Sequence, residues 1–355
     1  MKKLTIVWLA LLGGPVVADE VTASAAKSAQ NTCVAETADN LRLACYDRFF
    51  KRPGENAAPP VPVATVDAVS TEPAPKVDAG LASSGMAKAW ELGDDDKRGV
   101  FVVKTYLPNF LLPLHYTSSI NRSPSSPTHP VSSANPNYRP IEAKLQISLR
   151  TKVVENLLLP GADLWVAYTQ RSMWQVWDQK DSSPFRSTDY QPEAIYVVPV
   201  PEKLGKLPFG WNLRMLQLGA AHQSNGQSDP LSRSWNRIYL GAGFERGDFG
   251  LLLRANQRLK VQNNDDNPDL VDYIGRGDIA MAWAPGAATL GLTWRTTLNS
   301  FDRGSLQMDW TYPVFAEQPG GLRWYAQLFT GYGETLLDYN HRQTTLGVGL
   351  TLFQF

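Results

Sequence analysis

Residues 144–154 read KLQISLRTKVV, and residues 250–262 read GLLLRANQRLKVQ. In the first stretch Leu145, Ile147, Leu149 and Val153 share one parity, and Lys144, Gln146, Ser148, Arg150 and Lys152 share the other. The second opposes Leu251, Leu253, Ala255, Leu259 and Val261 to Arg254, Asn256, Arg258, Lys260 and Gln262. A β-strand sends successive side chains to opposite faces, so this period of two predicts strands with one apolar and one strongly polar face. SLQMDWTYPV (305–314) repeats it, with Leu306, Met308, Trp310, Tyr312 and Val314 against Ser305, Gln307, Asp309 and Thr311.

About twelve such segments follow one another: 109–118, 142–154, 162–175, 193–200, 211–224, 234–245, 249–262, 273–285, 288–299, 304–314, 322–333 and 344–355. Several run past the length of an ordinary globular strand and suit a tilted crossing of a bilayer. A soluble sandwich also has one apolar face. It has no place to solvate two or three charges on the inward side of every strand, whereas a closed barrel has a polar lumen. The pattern therefore predicts a membrane barrel. Trp165, Trp211, Trp235, Trp294, Trp310, Tyr312, Trp324 and Tyr325 lie near strand ends, as interfacial aromatic girdles do. In the last segment Val348, Leu350 and Leu352 share one parity, and Phe353 and Phe355 the other, which calls for a slip or bulge.

The N-terminal third differs. MKKLTIVWLALLGGPVVADE opens with Lys2 and Lys3, continues through an apolar run from Leu4 to Leu12, and has small residues around Ala18, the pattern of a signal peptide over 1–18. Two cysteines, Cys33 and Cys45, flank a short helical segment within 19–51 and predict a disulfide in an exported chain. Residues 52–100 read as a Pro/Ala-rich linker and polar lead-in, and 101–355 as the barrel domain. SSINRSPSSPTHPVSSANPNYRP (118–140) reads as a loop or lid. Lys+Arg and Asp+Glu balance at 34 each, so nothing in the charge favours nucleic acid.

One polar stretch breaks the pattern. In WNLRMLQLGAAHQSN (211–225), His222 and Ser224 share parity with Leu216, Leu218 and Ala220. In the next segment Asn236 shares parity with Ile238, Leu240, Ala242 and Phe244. Residues i and i+2 lie about 6.6 Å apart on one face, so a hairpin through 225–235 lines up Asn236, His222 and Ser224. A polar trio facing lipid is costly unless it functions, and the chain has only four histidines. The chemistry available is that of a nucleophilic Ser224, with His222 as general base and Asn236 holding the imidazole. Gln170, on the parity of Leu164, Val166 and Tyr168, also faces outward and wants a polar partner, which a second subunit can supply.

HQSNGQSDPLSRSWNRIY (222–239) strongly resembles the active-site segment of the bacterial outer-membrane phospholipase A family. YTQRSMWQ, SSPFRSTDYQPE, NNDDNPD and GYGETLLDYN add to the resemblance, which covers roughly 109–355. It implies an all-β fold: a twelve-stranded antiparallel transmembrane β-barrel with a non-barrel N-terminal extension. It implies an enzyme of the bacterial outer membrane that hydrolyses acyl esters of phospholipids and lysophospholipids with Ca2+, is controlled by dimerisation and active as a homodimer, with its active site toward the cell exterior. By motif position the triad is His222, Ser224 and Asn236, and Gly226 offers its N–H to the oxyanion. The calcium ligands carried over are the Gln227 carbonyl, the Ser232 hydroxyl and the Ser182 carbonyl of a second subunit. Gln227 stands where arginine is usual, a change that a backbone ligand tolerates. Asp229 and Asp266 read first as ordinary loop carboxylates, with calcium binding as the alternative. Two other readings stay open on the residues alone: a non-catalytic barrel, porin or structural, and a secreted soluble esterase.

Overall fold

The computed structural model describes residues 85–130, 137–181, 183–260, 265–298 and 302–352. The signal-peptide, Cys33/Cys45 and proline-rich stretches lie outside them, as do Ser182, Phe353 and Phe355. Twelve antiparallel strands close on themselves. They are β2 (Asn109–Thr117), β3 (Ile141–Val154), β4 (Asp163–Trp174), β5 (Phe185–Pro199), β6 (Asn212–Ser224) and β7 (Ser234–Arg246), then β8 (Phe249–Leu259), β9 (Gly277–Trp283), β10 (Thr289–Thr296), β11 (Ser305–Pro313), β12 (Arg323–Gly331) and β13 (Gln343–Leu352). Each pairs with the next, and β13 pairs with β2. A short β1 (Val103–Thr105) lies against β3 and prolongs the line of β2. Among the described residues no helix is long and apolar enough to cross a membrane.

The two faces are those the period of two calls for. In β3, Lys144, Ser148 and Lys152 are buried in the lumen while Ile147 and Leu149 are exposed outside. The same inversion runs through β8 and β11, where Asn256, Arg258 and Thr311 are buried and Leu253, Met308 and Trp310 are exposed. Closure makes this possible, because the sheet has no open edge and the charges solvate one another inside. Three aromatics expected in the girdle point inward instead: Trp165, Trp235 and Tyr325 are buried. Their parity is that of the lumenal residues, and they fill it beside Lys152, Arg237 and Asp309. Trp310, Tyr312 and Trp324 do face outward.

The slip expected between the parities of Leu352 and Phe353 falls outside the described residues; a separate one-residue shift lies opposite Val348–Leu350, with the extra residue on β2, around Pro113. A proline has no N–H for the ladder, so a bulge is where it fits. β5 starts at Phe185, eight residues before the apolar alternation at 193, because Arg186 and Asp189 point into the lumen and the outer face there is mixed. The segment expected as a strand from 273 begins at Gly277, and Leu270–Ile274 is a short helix, α3, which follows the one-turn α2 (Glu202–Gly205) in the chain.

Both barrel ends are filled. At the end with shorter turns, helix α1 (Gly85–Trp90) seats Trp90 edge-on to Trp165, with the Arg150 guanidinium 3.9 Å from the Trp90 ring. This segment falls inside the stretch read as linker. Glu91 follows it, buried between Lys104 (2.6 Å) and Lys152 (2.8 Å). Burial pushes the Glu91 carboxyl up, but the two lysines and the Arg98 N–H together hold it below its ordinary value. At the other end the connection between β12 and β13 folds inward. Arg186 joins Glu142 and Asp338, each at 2.8 Å, and Glu334 meets Lys144 (2.8 Å) and His115 (3.0 Å).

Candidate active site

β6 and β7 form a hairpin whose outer face carries the polar row. His222 stands directly opposite Asn236, and its Nδ1 donates to Asn236 Oδ1 at 2.8 Å. In the neutral ring this tautomer leaves the Nε2 lone pair free. His222 is exposed, and Ser224 and Asn236 are half-buried. Ser224 is the last residue of β6, opposite Ser234 on β7 and Tyr190 on β5. Its Oγ accepts a hydrogen bond from the Gly226 N–H at 3.1 Å. Among the described residues Ser224 and His222 are not hydrogen-bonded to each other. The structure thus joins His222 to Asn236 and Ser224 to Gly226, with all four on one outward strip. Gly226 has φ +63°, and a Cβ there would come 2.9 Å from the Tyr190 ring, so glycine is required at this turn.

The loop 225–233 is held by Asn225. Its Oδ1 accepts the N–H groups of Gln227 (3.3 Å) and Arg233 (2.9 Å), and its Nδ2 donates to the Leu231 carbonyl (2.8 Å). This is the Asn-turn logic of a polar connection, used here to fix the segment beside Ser224. Ser232 Oγ donates to Asp266 Oδ2 at 2.6 Å. Gln227 Oε1 is buried without a hydrogen-bond partner. His129 Nε2 lies 3.6 Å from Asp229 Oδ1 and 3.5 Å from Asp266 Oδ1. Together these three offer ligand atoms within 4.8 Å of one another. His129 was not singled out in the sequence. It reaches the site from the 118–140 connection, and no local pattern reports a contact across about a hundred residues.

Beneath the hairpin, Trp235 packs with Leu270 and Ile274 of α3 and with Leu336 and Tyr339 of the inward connection. This apolar floor supports the strand that carries Asn236. Tyr339 donates to Asp269 Oδ1 at 2.6 Å, and burial with that carboxylate pushes its hydroxyl above the ordinary range. Burial likewise opposes ionisation of Glu334, yet Lys144 and His115 hold its carboxyl well below the usual carboxylate range. Gln170 lies on the outer face of β4, and its Oε1 accepts the Tyr168 hydroxyl at 3.2 Å. That contact meets one acceptor site and leaves the amide's donors to other partners.

A model of the Phospholipase A1 family matches residues 86–352. The chain belongs to the phospholipase A1 family. A relative from Neisseria meningitidis serogroup B is 37% identical over 354 residues, covering 90% of this chain and 89% of its own. Phospholipase A1 of Salmonella typhimurium is 34% identical, covering 71% and 82%. Among solved structures, the calcium-bound dimer of Salmonella typhi outer membrane phospholipase aligns with TM-score 0.63 at 34% identity, over 71% of this chain and 92% of that one. Outer membrane phospholipase A from Escherichia coli aligns with TM-score 0.63 at 32% identity, over 75% and 96%. Family and fold together make the chain an outer-membrane β-barrel enzyme, a phospholipase of the acyl ester hydrolase class.

Proposed function

We propose that this phospholipase cleaves acyl esters of phospholipids and lysophospholipids at the end of the barrel that carries the polar row, with Ser224 as nucleophile. The observation that carries this reading is the 2.8 Å bond from His222 Nδ1 to Asn236 Oδ1 on an otherwise apolar outer face. It leaves Nε2 as the base, on the same strand face as Ser224. His222 takes the Ser224 proton as the hydroxyl attacks the ester carbonyl, and returns it to the leaving lysophospholipid. Water then repeats the cycle on the acyl-serine. Asn236 holds the ring and carries no charge, so it stabilises the imidazolium less than an aspartate would. Gly226 N–H, 3.1 Å from Ser224 Oγ, is a backbone donor within reach of the developing oxyanion.

The residues fit a hard cation. Ser232 directs its proton to Asp266, which leaves its oxygen lone pairs open, and Gln227 lies in the same loop with an unpartnered buried carbonyl oxygen on its side chain. The Gln227 backbone carbonyl, the Ser232 hydroxyl and, from a second copy, the Ser182 carbonyl would hold Ca2+, which when bound would supply positive charge beside the oxyanion. The solved Salmonella typhi relative is a calcium-bound dimer, and Gln170 on the lipid face supports the same assembly here. The barrel end with the long connections would face the cell exterior, as in other outer-membrane barrels.

A serine-directed fluorophosphonate tests the assignment. In detergent with calcium it should label Ser224 alone, and folded Ser224→Ala should take up none. Equal labelling of the two proteins would remove Ser224 from the mechanism.

A further inference from the structure

The lumenal side of the same strands carries a hydrogen-bonded bridge that the proposed mechanism does not use. Gln223, between His222 and Ser224, points inward. Its Oε1 accepts Trp235 Nε1–H at 3.0 Å from β7, and its Nε2 donates to Asp189 Oδ2 at 3.4 Å on β5. The same Asp189 oxygen accepts the Leu336 N–H at 2.9 Å from the inward connection. Asp189 and Trp235 are both buried.

The bridge crosses a gap in the sheet. β5 and β6 pair at Tyr190–Ser224 and again at Glu193–Ala221. Between those points Gln191 and Pro192 stand opposite Gln223 and His222 without ladder pairing. Pro192 has no N–H to donate, so the backbone there cannot close the ladder. Ser224 is moreover the last residue of its strand, with no hydrogen bond to His222. On the β7 side His222, Gln223 and Ser224 keep their ladder partners Asn236, Trp235 and Ser234, so what the bridge adds is the Gln223–Asp189 tie across the β5–β6 gap, at the level of the outward polar row.

We propose that Gln223 and Asp189 are positioning residues for ester hydrolysis. They replace the missing ladder and fix the β6 backbone, so that Ser224 and His222 keep one separation. This rests on the Ser224 reading above. Neither residue touches substrate, because both face the lumen and the row faces out.

The test uses the full-length protein in mixed micelles at saturating calcium, with heat-modifiable gel migration as the check on folding. Gln223→Leu keeps the bulk and removes both bonds. It should lower kcat about tenfold or more, leaving KM and the calcium half-saturation unchanged, and fluorophosphonate labelling should slow in parallel. Gln223→Glu sets a carboxylate against Asp189 and should lower kcat as well. Combining it with Asp189→Asn reverses donor and acceptor across the Gln223–Asp189 contact and keeps the Trp235 bond, while giving up the Leu336 N–H bond, and should recover most of the kcat that Gln223→Glu loses. A folded Gln223→Leu with wild-type kcat would overturn the proposal, as would a double variant no better than Gln223→Glu alone, a result that also decides the matter if Gln223→Leu does not fold. Ser224→Ala in the same assay separates the two readings. If it stays active, the nucleophile is wrong; if it is inactive while Gln223→Leu is unimpaired, only the positioning role falls.

Discussion

Asn236 is the residue that most distinguishes this site from a charged triad. Its amide oxygen fixes the imidazole by one uncharged hydrogen bond of 2.8 Å. Such a bond is worth about 1 kcal/mol and somewhat more when it orients a reacting group, so Asn236→Ala should lower kcat by about tenfold to a hundredfold and leave measurable turnover. Steady-state hydrolysis by the folded variant checks this, and a loss as complete as that of Ser224→Ala would show that Asn236 does more than orient. The outward row itself was legible in the sequence, because parity with Leu216, Leu218 and Ile238 is a property of the backbone. The rotamer of Ser224 was not. It turns toward Gly226, whose φ of +63° is set by the turn, and turn geometry depends on Asn225 binding Arg233 and Leu231. The Ser232–Asp266 and His129–Asp266 contacts were hidden for another reason: they join loops far apart in the chain.

At the scale of elements, all twelve alternating segments became strands, because a period of two over eight or more residues has few other solutions. The misses fall where the outer face is not apolar. The first half of β5 carries Arg186 and Asp189 for the lumen, and Pro192 interrupts its pattern. Helix α1 is six residues long, too short for any helical period to show, and its place is set by Trp90 and Glu91 fitting among Trp165, Lys104 and Lys152. A carboxyl held below its ordinary value in the folded state contributes stability above its unfolded pKa and loses it as pH falls through the folded one. Glu91 is in that position despite burial, which acts the other way. The thermal midpoint of wild type should therefore exceed that of Glu91→Gln at pH 7, and the difference should shrink as pH drops below about 4. A difference independent of pH would mean that the Glu91 ion pairs do not anchor the helix.

For the whole molecule, closure of the sheet puts charge inside and apolar side chains outside, and that division was readable from alternation alone. What fills the two mouths was not, since plugging depends on single residues meeting across the lumen. Family membership sets aside the soluble-esterase and non-catalytic readings that the residues alone left open. Assembly is the remaining property of this scale. Gln170→Ala removes an outward amide and should weaken the proposed dimer, lowering activity at low protein concentration and sparing it at high. Sedimentation under assay conditions follows the assembly, and a fully active monomer would end dimerisation as a means of control. The measurement that bears most directly on the central claim is fatty-acid release from phospholipid in mixed micelles, comparing wild type with folded Ser224→Ala in excess calcium and in excess chelator. Wild type should release fatty acid only with calcium, recovering when the ion is restored, and Ser224→Ala should release none in either condition. Near-normal release by Ser224→Ala, or by wild type in chelator, would contradict a calcium-assisted hydrolase built on Ser224.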